Sequence, residues 1–180
     1  MLRLPLRVST QRRHIFSLLS GATERQTYRE QKTLPYTRQQ LYDVVSDVDS
    51  YRHFVPHCSS SRVLSSTDKT KSPVQLEAEL TVQFLAFKES YVSRVTCVPL
   101  ESVQAVASSS TPLFKELTTT WRFQSTNQPD KSTLVSLDLA YAFANPIHAA
   151  LSSSFFGQVS RMMVEAFEQR CAAVYGRKDD

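Results

Sequence analysis

The residue types that could do chemistry are few and scattered. His53, His57 and Cys58 come nearest to a metal-ligand cluster. Pro56 separates the two histidines, so they do not share a helical face, and the spacing is not that of a zinc site. Asp43, Asp47 and Asp49 fall where one helix should end and another begin, positions that carboxylates take for capping and solvation. Glu77 and Glu79 alternate with Leu76, Ala78 and Leu80. If the apolar set faces inward, both carboxylates face water and do not form an acid–base pair. Only Gly21, Gly157 and Gly176 are glycines, so no glycine-rich phosphate loop exists, and neither G-x-S-x-G nor H-E-x-x-H occurs. Cys58, Cys97 and Cys171 are odd in number and far apart, which fits buried thiols in a reducing compartment.

The chemistry that does stand out is apolar. Phe54, Val55, Phe84, Tyr91, Trp121, Phe123, Phe143, Phe155, Val159, Met162 and Met163 are a large stock of aromatic, aliphatic and thioether side chains for 180 residues. Thioethers and aromatic rings suit a pocket that adapts to a flexible apolar ligand, and these residues are the expected cavity lining. Leu85 and Phe87, in Phe84-Leu85-Ala86-Phe87, and Leu113 and Phe114, after Pro112, fall at expected strand ends. Apolar side chains at loop tips mark a partner or a membrane surface, so these four are candidate membrane contacts.

The elements that must position this lining are well marked. Asn145 and Pro146 open a helix, Gly176 closes it, and only Gly157 interrupts the run between. Its apolar face is expected to hold Phe155, Val159, Met162, Met163, Ala166 and Phe167. Thr37 with Gln40 three residues on makes a capping box, and Leu41, Val44, Val45 and Val48 continue at helical spacing. Asp47 and Asp49 start a second short helix that ends before Pro56. From Cys58 to Phe143 the period changes to two. Val74–Phe84 alternates over its whole length, and strands are also expected at Ser60–Ser66, Lys88–Val98, Ser102–Ser108, Phe114–Gln124 and Thr133–Phe143. Gln26–Leu34 is an edge-strand candidate. The connections are too short for helical crossovers, so the sheet is antiparallel. An antiparallel sheet and a long one-sided helix must bury one face of each against the other, which makes an α+β fold of about six to seven strands curved around the C-terminal helix.

Composition narrows the partners. The chain has 21 Lys and Arg against 17 Asp and Glu, but four arginines precede the first acid, Glu24, and the remaining 17 bases balance the 17 acids. A neutral body is not a nucleic-acid binder. Residues 1–25 are Arg-rich, without acids before Glu24, and carry interspersed Leu, Ile, Phe and Ser, the composition of a mitochondrial transit peptide. The domain is expected over 26–176, with 177–180 as a tail.

Several segments resemble the coenzyme Q-binding protein Coq10 family. They are Leu34-Pro35-Tyr36-Thr37 with Gln40 to Val45, Asp47-Val48-Asp49-Ser50-Tyr51 with Phe54-Val55-Pro56, Ser93-Arg94-Val95, Leu113-Phe114-Lys115 with Leu117 and Trp121-Arg122-Phe123, and Asn145-Pro146 with Met163 to Phe167. His57 departs from the pattern, since many relatives have tryptophan there, and Phe84–Phe87 lacks a glycine that relatives often carry.

The resemblance implies a START-like helix-grip fold and a lipid carrier rather than an enzyme. It implies ubiquinone as bound ligand, with no other cofactor, no metal and no catalytic residue. It further implies peripheral contact with the matrix side of the mitochondrial inner membrane, and contact with ubiquinone-biosynthetic or respiratory complexes. Two alternatives come with the superfamily: a polyketide cyclase or aromatase, and a ribosome-associated module. Each buried CH₂ is worth about 0.8 kcal/mol, so an apolar tunnel that extracts an isoprenoid from lipid only matches what the bilayer already offers. Near-balanced binding suits a carrier that must release. Tyr91, Arg94 and Trp121 are the candidate partners for the polar quinone head.

Overall fold

A computed structural model describes residues 25–68, 70–84, 87–108, 114–144 and 146–177. Strand β1 (Gln26–Leu34) leads into helix α1 (Arg38–Ser46) and a 3₁₀ turn (Val48–His53). Six strands follow: β2 (Cys58–Ser66), β3 (Val74–Phe84), β4 (Phe87–Val98), β5 (Ser102–Ala107), β6 (Phe114–Ser125) and β7 (Thr133–Phe143). Helix α2 (Pro146–Tyr175) closes the chain. At 1.5 Å per residue α2 is roughly 45 Å long.

The strands form one antiparallel sheet in the order β1-β7-β6-β5-β4-β3-β2. Successive strands pair as neighbours, except that β1 crosses to β7 and becomes one edge while β2 forms the other. Partnered residues share a face. The register therefore sets one inward face across the sheet: Tyr28, Leu139 and Thr119; Leu137, Trp121, Val103, Cys97 and Val74; Val95, Leu76 and Ala105. Helix α2 packs across this face against β1, β7 and α1. This is the helix-grip layout expected from the patterning.

Local chemistry fixes the element ends. The Thr37 hydroxyl accepts from the Gln40 N–H at 3.3 Å, and the Gln40 side chain accepts from the Thr37 N–H at 3.0 Å. Thr37→Ala is expected to cost about 1 kcal/mol, read as a lower urea midpoint at unchanged slope. Ser61, wholly buried, accepts from the Arg52 N–H and donates to the Asp49 carbonyl, which ties the 3₁₀ turn to β2. Gly176, at φ 84°, ends α2 in the left-handed region that a side chain would strain. Its carbonyl accepts from the Tyr36 hydroxyl, and Thr133 donates to the Tyr36 carbonyl at 2.8 Å, so the β1–α1 link and the end of α2 hold each other.

The outer face is wet. Arg29 and Arg122 both pair with Asp138 across three strands, and Arg62 pairs with Glu79. These pairs are exposed and contribute little to stability. Glu77 and Glu79 point outward beside Arg62 and Ser65, as the alternation predicts.

Candidate ligand-binding site

Among the described residues the buried apolar side chains fall into two clusters, and Tyr28 packs against both. The larger cluster lies under α1, the 3₁₀ turn and the C-terminal half of α2, around Leu41, Val45, Trp121, Leu137, Val164 and Phe167. Phe167 is its hub. Its ring lies 4.8 Å from Trp121, 5.0 Å from Phe54 and 5.2 Å from Tyr51, the last two edge-on. A second cluster, Phe114, Leu139, Tyr141 and Phe143, lies at the opposite end of the inward face. Between them Leu80, Val82, Ala105, Ala107, Leu117 and Tyr91 are only partly buried although their register turns them inward. A packed domain normally shows one contiguous apolar cluster with small satellites. Among the described residues these inward side chains keep accessible surface, while their neighbours Ala78 and Ser93 are buried.

The packed end leaves little room. A cavity of about 10 Å³, lined by Leu34, Leu41, Trp121, Phe123, Val164 and Phe167 among others, has space for one water molecule at most. Trp121 and Phe123 were expected to line a ligand cavity; they line this small one, and the Trp121 ring lies tilted against Phe167. Phe54 packs on Phe167 and Tyr51 under the Arg170 guanidinium, 5.5 Å above its ring, and Val55 packs beside it. These four belong to the packed end. Phe143 is inward and buried in the second cluster, and Tyr91 sets its ring edge against Phe114, centroids 5.6 Å apart. Met162 and Met163 are partly buried on α2, Met163 against the larger cluster. The side chains of Phe84, Phe87, Phe155 and Val159, and residues Leu85 and Leu113, lie outside the described residues.

Three expectations are corrected. Phe114 is not a surface contact: it is 5% exposed and stacks on Phe143 at 5.2 Å. The register between β6 and β7 slips between Phe114 and Glu116, and this irregularity turns Phe114 inward where strict alternation would turn it out. Arg94 lies on the outward register, opposite Glu77, and is exposed, so it does not face the interior. The buried line of α2 runs through Ser160, Val164, Phe167 and Cys171, with Met162 and Met163 flanking it. Ala166 and Phe167 are buried as expected, whereas Val164 and Cys171, at the i, i+7 spacing of one helical face, were not expected there and the methionines lie at its margin.

Among the described residues no three His, Cys, Asp or Glu side chains gather to hold a metal, and no helix is long and apolar enough to cross a membrane. All three cysteines are buried free thiols; burial pushes Cys97 up to about 11 and Cys171 up to about 12. Tyrosines titrate late for the same reason. Burial and then the adjoining Glu30 carboxylate raise Tyr28 from 10.0 to about 12, and burial raises Tyr51 and Tyr91 well above the usual phenol range. A group whose folded pKa is raised stabilises the fold fully below its unfolded value and loses that contribution as pH climbs through the folded one. Stability should therefore hold below about pH 9 and fall between about pH 9 and 12, the thiols contributing first and the phenols next. Absorbance at 295 nm should show phenolate appearing together with loss of ellipticity.

Among the described residues the arrangement offers a largely apolar, weakly hydroxylated interior, with Glu30 and Lys32 at the edge of the small cavity. A family model described as "Polyketide cyclase / dehydrase and lipid transport" matches residues 34–168. The coenzyme Q-binding protein COQ10 homolog B, mitochondrial, of Xenopus laevis is 39% identical over 159 residues, 87% of this chain and 62% of that protein. The chain thus spans less than two thirds of that relative's length. The coenzyme Q-binding protein COQ10, mitochondrial, of Dictyostelium discoideum is 35% identical over 81% of this chain and 68% of its own. The ribosome association toxin RatA of Pseudomonas aeruginosa is 33% identical over 79% of this chain and 93% of its own. Among solved structures the Zhui aromatase/cyclase from Streptomyces superposes with a TM-score of 0.69 at 13% identity, covering 82% of this chain and 94% of the other, a likeness of fold alone. Strand order, inward face and sequence likeness converge: the chain belongs to the polyketide cyclase/dehydrase and lipid transport family and, within it, to the coenzyme Q-binding protein COQ10 family.

Proposed function

We propose that this chain binds ubiquinone without chemical conversion and carries it at the matrix face of the mitochondrial inner membrane, supplying respiration and ubiquinone synthesis. The observation that carries this reading is the apolar inward face of the sheet, on which Leu80, Val82, Tyr91, Ala105 and Ala107 stay partly exposed. An isoprenoid chain would complete that surface. The names of the frog and slime-mould relatives support the ligand and the compartment. The Arg-rich composition of residues 1–25 fits a presequence. Membrane contact is supported by the sequence, in which apolar Leu85–Phe87 and Leu113 are each followed closely by an exposed lysine, Lys88 or Lys115, suited to anionic headgroups.

Protein purified from a host that makes ubiquinone should carry the quinone through gel filtration. Mass spectrometry of organic extracts should find it at a sizeable fraction of one per chain. Extracts holding phospholipid but no quinone would remove the ligand from this reading. The likeness to RatA favours ribosome association as the second reading. It predicts co-sedimentation with ribosomes that weakens as salt rises, whereas the balanced charge of the body predicts none.

A further inference from the structure

The inward face of β4 carries two hydroxyl groups in succession, Tyr91 and Ser93, and the packing uses neither. Ser93 is 3% exposed. It stands between Ala78 on β3 and Ala107 on β5, so three small side chains run side by side across the sheet. Tyr91 is surrounded by protein yet keeps some accessible surface. Among the described residues neither hydroxyl has a hydrogen-bond partner. Tyr51 shows the contrast, since its hydroxyl donates to the Val45 carbonyl. A buried hydroxyl without a partner is destabilising. Such groups persist where something else completes them.

We propose that Tyr91 and Ser93 form the subsite for the polar end of the ligand, their hydroxyls donating to the carbonyl oxygens of a quinone ring while apolar side chains around them take its isoprenoid tail. This rests on the quinone-binding reading above. Successive inward positions on a strand lie roughly 7 Å apart, a distance that the oxygens on opposite sides of a substituted benzoquinone can span. Burial keeps the Tyr91 phenol protonated through the physiological range, so it remains a donor. The subsite explains how a mostly apolar interior orients a ligand that differs from other isoprenoids only at one end.

The test compares the full chain with Tyr91→Phe and Ser93→Ala, each removing an oxygen and little volume. Decylubiquinone serves as the head-bearing probe and squalene as the tail-only probe, with binding followed by quenching of tryptophan fluorescence. Each variant should bind decylubiquinone about five-fold more weakly, bind squalene as the parent does, and melt at the parent temperature or above, because an unsatisfied hydroxyl has been removed. Infrared spectra of carbonyl-labelled decylubiquinone on the parent protein should show a C=O stretch lowered from its value in hexane, and Tyr91→Phe should restore part of that shift. Equal quinone affinity in parent and variants with an unshifted carbonyl band would overturn the subsite while leaving quinone binding in place. A parent that binds no decylubiquinone would overturn both. Should a variant fail to fold, the parent's carbonyl band alone decides.

Discussion

Replacing Phe167 by alanine is expected to lower the free energy of unfolding by about 3–5 kcal/mol, the largest single effect in the molecule. The ring is 4% exposed and touches Trp121, Tyr51 and Phe54 at once, joining sheet, 3₁₀ turn and α2. Aromatic pairs in these geometries add about 0.5–1.5 kcal/mol each beyond the area they bury. Nothing nearby can collapse into the hole without moving α2, whose Val164 and Cys171 continue the same buried line. Domains of this size are stable by about 5–15 kcal/mol, so the variant should be marginal at physiological temperature. Urea unfolding followed by far-UV ellipticity measures it. A cost below about 1 kcal/mol would mean that the hub is not packed as described.

The second large effect separates a hollow from a filled core. Ala107→Phe places a ring on the inward face of β5 beside Ser93, at a position where Ala107 and Ala105 are themselves partly exposed. If that region holds ligand, the ring occupies the ligand's place. Quinone binding should then fall more than ten-fold while the urea midpoint stays near the parent value. If the region is already filled by protein, overpacking should instead cost about 1–3 kcal/mol. Measuring both quantities on one variant distinguishes the two interiors.

Much of this fold was legible before any coordinates. Val74–Phe84 and Thr133–Phe143 form strands over the very residues that the alternation marks, because a half-buried antiparallel strand writes its period directly into the chain. The capping box at Thr37 and Gly176 at the end of α2 are equally local signals, and both hold. The site was legible only in kind. A stock of aromatic and methionine side chains said that something apolar is bound, but not which rings fill core and which face space. That Trp121 and Phe54 both pack on Phe167 could not be read from the chain, because that contact is set by tertiary packing. Phe114 was misplaced because the slip beside Glu116 has no mark in the sequence. Ser93 went unread as a site residue because one serine among many carries no signal until the register sets it between Ala78 and Ala107.

The central claim is that ubiquinone lies between the sheet and α2. A ubiquinone analogue with a photoactivatable group on its tail, irradiated with the full chain and mapped by peptide mass spectrometry, tests it most directly. Adducts should fall on the inward residues Leu80, Tyr91 and Leu117 and on Met162 or Met163 of α2, and excess ubiquinone should suppress them. Labelling confined to the exposed apolar residues Leu64, Val106 and Val174, indifferent to competitor, would contradict the claim.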